Sequence, residues 1–165
     1  MHSVIKQSLL FCLLVFLQVC LFKQIHLFEY AIPLPYIYFV IQLAGNINRN
    51  FVLFLSALIG LCVDIFDHTL GLNMFSCVIV GFLRFYLLQL LMPNNLLENR
   101  CLSSITFGNL RFFYYSASIT LLHQIILFTT ESPSLFDPLS LIFHILGSVI
   151  LTMLIIFAFD RFTKK

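Results

Sequence analysis

Long apolar runs divided by short polar turns limit what this chain can fold into. A helix needs about 20 residues to cross the hydrocarbon core of a bilayer. The sequence offers runs close to that length at residues 3–22, 51–66, 72–92, 110–129 and 139–159. A further run, 31–44, is apolar but short, and Pro33 and Pro35 interrupt its start. It reads as a short or tilted span, or as one that begins as extended backbone packed against protein. Hydrophobic residues make up 61% of the chain and charged residues only 10%, against about 25% charge in a soluble domain. The expected fold is therefore an all-α membrane protein, a single domain over residues 1–165 built as a bundle of about six transmembrane helices.

Charge gives the expected orientation. Lysine and arginine in short loops stay on the cytoplasmic side. With six spans, Lys6, Arg49, Arg100, Arg111, Arg161, Lys164 and Lys165 collect on one side, and Lys23 stands on the other. Both termini are then cytoplasmic. The turn from Asp64 to Gly71 faces outward, with Glu29, Glu131 and Asp137. The bulky run Val19-Cys20-Leu21-Phe22-Lys23 offers no small-residue cleavage site, so the first run is expected to remain as a span. A net charge of +2 is too small to point to nucleic acid.

Polar residues inside apolar runs carry the functional reading. Asp64 sits within the third run, where a charge costs about 3 kcal/mol at mid-depth and less near the surface. Residues four apart share a helix face. Ser56, Gly60 and Asp64 form one stripe, and Asn73, Cys77, Gly81 and Arg84 a second. Ser116, Thr120 and His123, beside Gln124, form a third, and His144, Ser148 and Thr152 a fourth. Small residues allow close helix approach, and polar ones bond across a bundle interior. The plain reading is helix packing; the sharper one is a solvated pocket or binding groove. Asp64, His123 and His144 are expected to approach one another near the outer end, with Asn73 at the rim. Arg84 lies deeper and is expected to reach Ser116 or Thr120, or to snorkel toward the cytoplasmic interface. Gly71 supplies a positive φ in the turn, and Asp67 and His68 read as solvated turn residues.

Other chemistry finds little support. The five cysteines, Cys12, Cys20, Cys62, Cys77 and Cys101, are odd in number and lack a Cys-x-x-Cys pair. They read as small buried hydrophobes rather than a disulfide or zinc framework. No catalytic or cofactor motif occurs, so neither an enzyme nor a bound metal is expected.

The run Gly60-Leu61-x-x-Asp64 followed by Thr69-Leu70-Gly71-Leu72-Asn73 resembles the MreD family, rod shape-determining membrane proteins of bacteria. Asn73 stands where histidine is common in that family. The span count, the basic tail, Gly81-Phe82-Leu83-Arg84 and the Leu-Leu-Met-Pro ending at Pro93 fit as well, as does a fifth span carrying His123. The resemblance implies a non-enzymatic component of the machinery that elongates the lateral cell wall. It would sit in the inner membrane and dock there with an MreC-like bitopic membrane protein. The MreB filament and the wall-synthesis enzymes would be indirect partners, and membrane lipid a direct one. The family is also distantly similar to the substrate-capture subunits of energy-coupling-factor transporters, six-helix bundles with an outward pocket. The alternative is therefore a small-molecule-binding subunit of a transporter. Candidate structural, partner or pocket residues are Ser56, Gly60, Asp64, Gly71, Asn73, Gly81, Arg84, His123 and His144. As a hypothesis, Asp64 braces the hairpin that orients the third and fourth spans.

Overall fold

A computed structural model describes residues 2–20, 32–45, 47–69, 71–91, 102, 108–131 and 138–162. The described residues are all-α, in helices α1 (His2–Cys20), α2 (Ile37–Gln42), α3 (Arg49–Asp67), α4 (Leu72–Leu91), α5 (Asn109–Glu131) and α6 (Pro138–Phe162). Four helices, α3 to α6, are long and apolar enough to cross a membrane. The shorter apolar helix Gln7–Cys20 lies within α1. Lys23, Glu29, Arg100, Asp137, Lys164 and Lys165 lie outside the described residues.

Consecutive helices from α3 to α6 run antiparallel, and their paired residues fix the register. Gly60 meets Met74, and Ser56 meets Gly81. His123 lies against Cys77, joining α5 to α4. Phe112 packs on Phe157, Gln124 bonds Thr152 and Phe128 faces His144, joining α6 to α5. The bundle therefore has two ends. Asp64, Asp67 and Glu131 stand at the end that holds the α3–α4 hairpin; Arg49, Arg111 and Arg161 stand at the other.

The α3–α4 pair is held at backbone distance. A Cβ on Gly60 would stand 2.5 Å from Met74 Cα and 2.8 Å from Asn73 O, and one on Gly81 would stand 2.6 Å from Ser56 Oγ. The two small-residue stripes thus face each other inside the protein, which is why Ser56, Gly60 and Gly81 are buried.

The apolar run at 31–44 does not form one continuous helix. Residues 32–34 have no regular structure, Pro35 and Tyr36 make a turn, and α2 follows for six residues, about 9 Å of rise. This segment is the centre of the core. Tyr36, Ile37, Tyr38, Val40 and Ile41 are fully buried, and α2 touches α1, α3, α4 and α5. It runs from Ile32, beside Asp67 and Glu131, toward Arg49 at the far end. Irregular backbone survives at membrane depth only when protein satisfies its polar groups. The Ile32 amide donates to Ser148 Oγ (3.0 Å) and the Leu34 amide to Thr152 Oγ1 (3.1 Å). Pro33 and Pro35 have no amide hydrogen to satisfy. Two residues of extended chain span about 6.6 Å and four of helix about 6 Å, so alternate amides match hydroxyls one helical turn apart. At the other end, Arg84 Nη2 donates to the Leu43 and Ala44 carbonyls, and the Leu102 amide donates to Gln42 O at 3.2 Å.

Two expectations are corrected here. Arg84 is buried rather than snorkelling, and it bonds the carbonyls after α2 instead of Ser116 or Thr120; the Ser116 hydroxyl is turned to Phe112 O. Among the described cysteines only Cys77 is buried; Cys12 and Cys20 lie on the outward face of α1 and Cys62 is half-buried. A thiol that resembles a small hydrophobe can face lipid as readily as core.

Thr152→Val should destabilise the protein by about 1–3 kcal/mol, because the Leu34 amide is left buried without an acceptor. Gly60→Ala should cost at least as much, about 1–3 kcal/mol from overpacking. Its added methyl meets backbone, whereas Gly81→Ala meets a side-chain hydroxyl and should cost less. Unfolding of the purified protein in detergent, followed by circular dichroism, measures all three; an unchanged midpoint for Gly60→Ala would contradict the close packing.

Candidate functional site

The hairpin end is organised by Asp64. Helix α3 ends with His68 in the left-handed region at φ 56°, a cap usually taken by glycine. The Thr69 amide donates to Asp64 O at 3.1 Å, and Gly71 takes φ +78° before α4 begins. The chain therefore reverses within a few residues and returns beneath the Asp64 side chain. Gly60, one turn earlier, lets the start of α4 come close enough to meet it.

The carboxylate accepts from four groups. Oδ1 takes the Thr69 hydroxyl, the Asn73 amide at 3.0 Å and Asn73 Nδ2 at 2.9 Å. Oδ2 takes the Met74 amide at 2.8 Å. Asn73 and Met74 lie in the first turn of α4, whose amides have no partner within the helix. Asp64 thus caps the following helix from the preceding one, and the α4 dipole favours its negative charge. The residue is only 5% exposed, so these donors replace the water that a carboxylate would otherwise need.

A chain of side chains leads inward from this cap. Since Asn73 Nδ2 faces a carboxylate, Asn73 Oδ1 must face the other way. There it accepts the Tyr36 hydroxyl at 2.7 Å. The Tyr36 oxygen also lies 3.0 Å from His123 Nε2. The single Tyr36 proton goes to Asn73, so His123 Nε2 carries a hydrogen and donates it. The two rings meet edge to face at 5.4 Å. Cys77 Sγ lies 3.8 Å from the same nitrogen, while His123 Nδ1 has no partner among the described residues. Asn73, Tyr36, Cys77 and His123 are all buried. The carboxylate is fully engaged, so the arrangement works as a clamp joining α3, α4, α5 and the crossing segment.

The clamp opens on one side to a cleft of about 90 Å³, lined in part by Ile32, Asp67, Thr69, Asn73, Phe128 and Glu131. The structure brings Asp64, Asn73 and His123 together. On α6, Ile32 bonds Ser148, and His144 one turn away is half-buried with its ring 6.3 Å from the Phe128 ring. Ser56, Gly60, Gly71 and Gly81 shape the hairpin, and Arg84 belongs to the α2 terminus instead. Tyr36 and Thr69 were missed as site residues. Thr69 stands in the Thr69-Leu70-Gly71 sequence, five residues from Asp64, and Tyr36 follows the second proline of the short run at 31–44.

Tyr36→Phe should lose about 1–2 kcal/mol of stability, since it strands Asn73 Oδ1 and His123 Nε2. Asp64→Leu should lose about 3 kcal/mol or more, because it uncaps α4 and removes the acceptor of four donors. Urea or detergent-denaturant unfolding ranks them; an Asp64→Leu protein as stable as wild type would rule out the cap.

Comparison of the chain with protein-family models, curated proteins and solved structures gave no match.

Proposed function

We propose that this chain is a non-enzymatic membrane component of the bacterial wall-elongation machinery, of the MreD kind, acting by docking to an MreC-like bitopic protein and to wall-synthesis partners. The observation that carries the reading is the Asp64 cap. The Gly60-Leu61-x-x-Asp64 and Gly71-Leu72-Asn73 signature folds into one device, in which each quoted glycine and acid has a physical task. Gly60 admits the α4 backbone, Asp64 caps it, and Gly71 turns the chain. A motif whose residues work together is better support than the same letters scattered along a span.

The grouping of Arg49, Arg111 and Arg161 at one end supports an orientation with that end in the cytoplasm and the hairpin outside. The small-residue stripes meet each other inside the protein, so partner contacts fall to its outer faces. Helices α3 to α6 offer them in exposed aromatic and aliphatic side chains such as Phe75, Phe143 and Leu146.

The transporter-subunit reading has weaker support. Small-molecule pockets usually enclose about 300–1,000 Å³, and the cleft beside the clamp is about 90 Å³.

The test uses the full-length tagged chain in rod-shaped host cells depleted of their own copy. Wild type should restore rods and copurify an MreC-like protein. Asp64→Leu, checked for equal membrane level, should give rounded cells and lose the partner. Normal rods with Asp64→Leu, or copurification of a small ligand in place of a bitopic protein, would contradict the proposal.

A further inference from the structure

The end opposite the hairpin presents one charged group on an aromatic floor. Arg49 is the first residue of α3, so it stands where a membrane-spanning helix leaves the hydrocarbon. Its guanidinium carbon lies 3.9 Å above the Phe82 ring centroid, with Tyr86 at 5.5 Å and Phe85 at 5.8 Å. The ring quadrupole attracts the cation at that distance. A guanidinium carries its N–H donors in a planar fork that suits a phosphate.

The surroundings are two-sided. An open recess of about 580 Å³ is lined by Asn48, Arg49, Asn50, Phe51 and Phe54. Asn48 and Asn50 are exposed amides, while Phe51 and Phe54 are exposed phenyl rings on the span itself. Arg111 and Arg161 share this end of the bundle and add positive charge. Free phosphate would satisfy the guanidinium and leave the rings uncovered. A molecule with an anionic headgroup and acyl chains satisfies both.

We propose that Arg49, held on Phe82, binds the phosphate of an anionic phospholipid whose acyl chains lie along Phe51 and Phe54. The cation supplies charge complementarity, the Phe82 contact holds it at the end of α3, and the apolar rings select a lipid over a soluble anion. The site needs only the membrane placement of α3 and α4 and is independent of any role in wall synthesis.

Native mass spectrometry of the full chain, titrated with phosphatidylglycerol or phosphatidylcholine, tests this. Wild type should retain phosphatidylglycerol about fivefold better, as one basic residue at an anionic surface provides. Arg49→Gln should bring the two lipids to equal retention, whereas Arg161→Gln should leave the preference near wild type. Millimolar inorganic phosphate should not displace the lipid. Equal retention of both lipids by wild type overturns the proposal, whether or not the variant folds. An undiminished preference in Arg49→Gln, an equal loss in Arg161→Gln, or displacement by phosphate also overturns it.

Discussion

Backbone that cannot satisfy itself must be satisfied by its neighbours, and in this protein that backbone is residues 32–44. Helices α3 to α6 close their own hydrogen bonds and ask little of one another. The extended stretch before α2 and the open carbonyls after it ask a great deal, because water is absent and each orphaned group costs about 1–3 kcal/mol. Their needs set the inward faces of the surrounding helices. Helix α6 presents Ser148 and Thr152 to the amides of Ile32 and Leu34, and α4 presents Arg84 to the carbonyls of Leu43 and Ala44. Thr152 completes its own set by donating to Ser148 O while accepting from Gln124 as well.

The clamp at the hairpin end obeys the same rule with a charge in place of an amide. Asp64 is tolerable near the end of a span because four donors and a helix terminus surround it. Tyr36 joins the two systems. It belongs to the crossing segment, yet its hydroxyl bonds Asn73 on α4 and faces His123 on α5. A shift of the segment would therefore be felt at the Asp64 cap. Net hydrogen bonds contribute only about 0.5–1.5 kcal/mol each, so the network defines one arrangement of helices more than it adds stability.

Much of the fold was legible in the sequence. Apolar length and polar breaks located α3 to α6 to within a few residues, and the spacing of four placed Ser56, Gly60 and Asp64 on one face, as found. Pro33 and Pro35 warned that residues 31–44 could not be an ordinary helix. Pairing was less legible. Helical periodicity says which face a residue occupies and nothing of which helix lies opposite. The sequence offers Arg84 the hydroxyls of α5 or the cytoplasmic interface, whereas its acceptors come from a segment distant in the chain. Tyr36 was missed because a tyrosine in an apolar run looks like core until its hydroxyl finds partners.

The central claim is that residues 32–34 lie extended against the inward face of α6. Disulfide trapping in membranes tests it most directly, using a chain whose native cysteines are replaced. Leu34→Cys paired with Thr152→Cys should cross-link rapidly on mild oxidation. Leu34→Cys paired with Leu154→Cys, on the outward face of the same helix at 63% exposure, should not. Equal rates for the two pairs, or faster trapping at residue 154, would contradict the account.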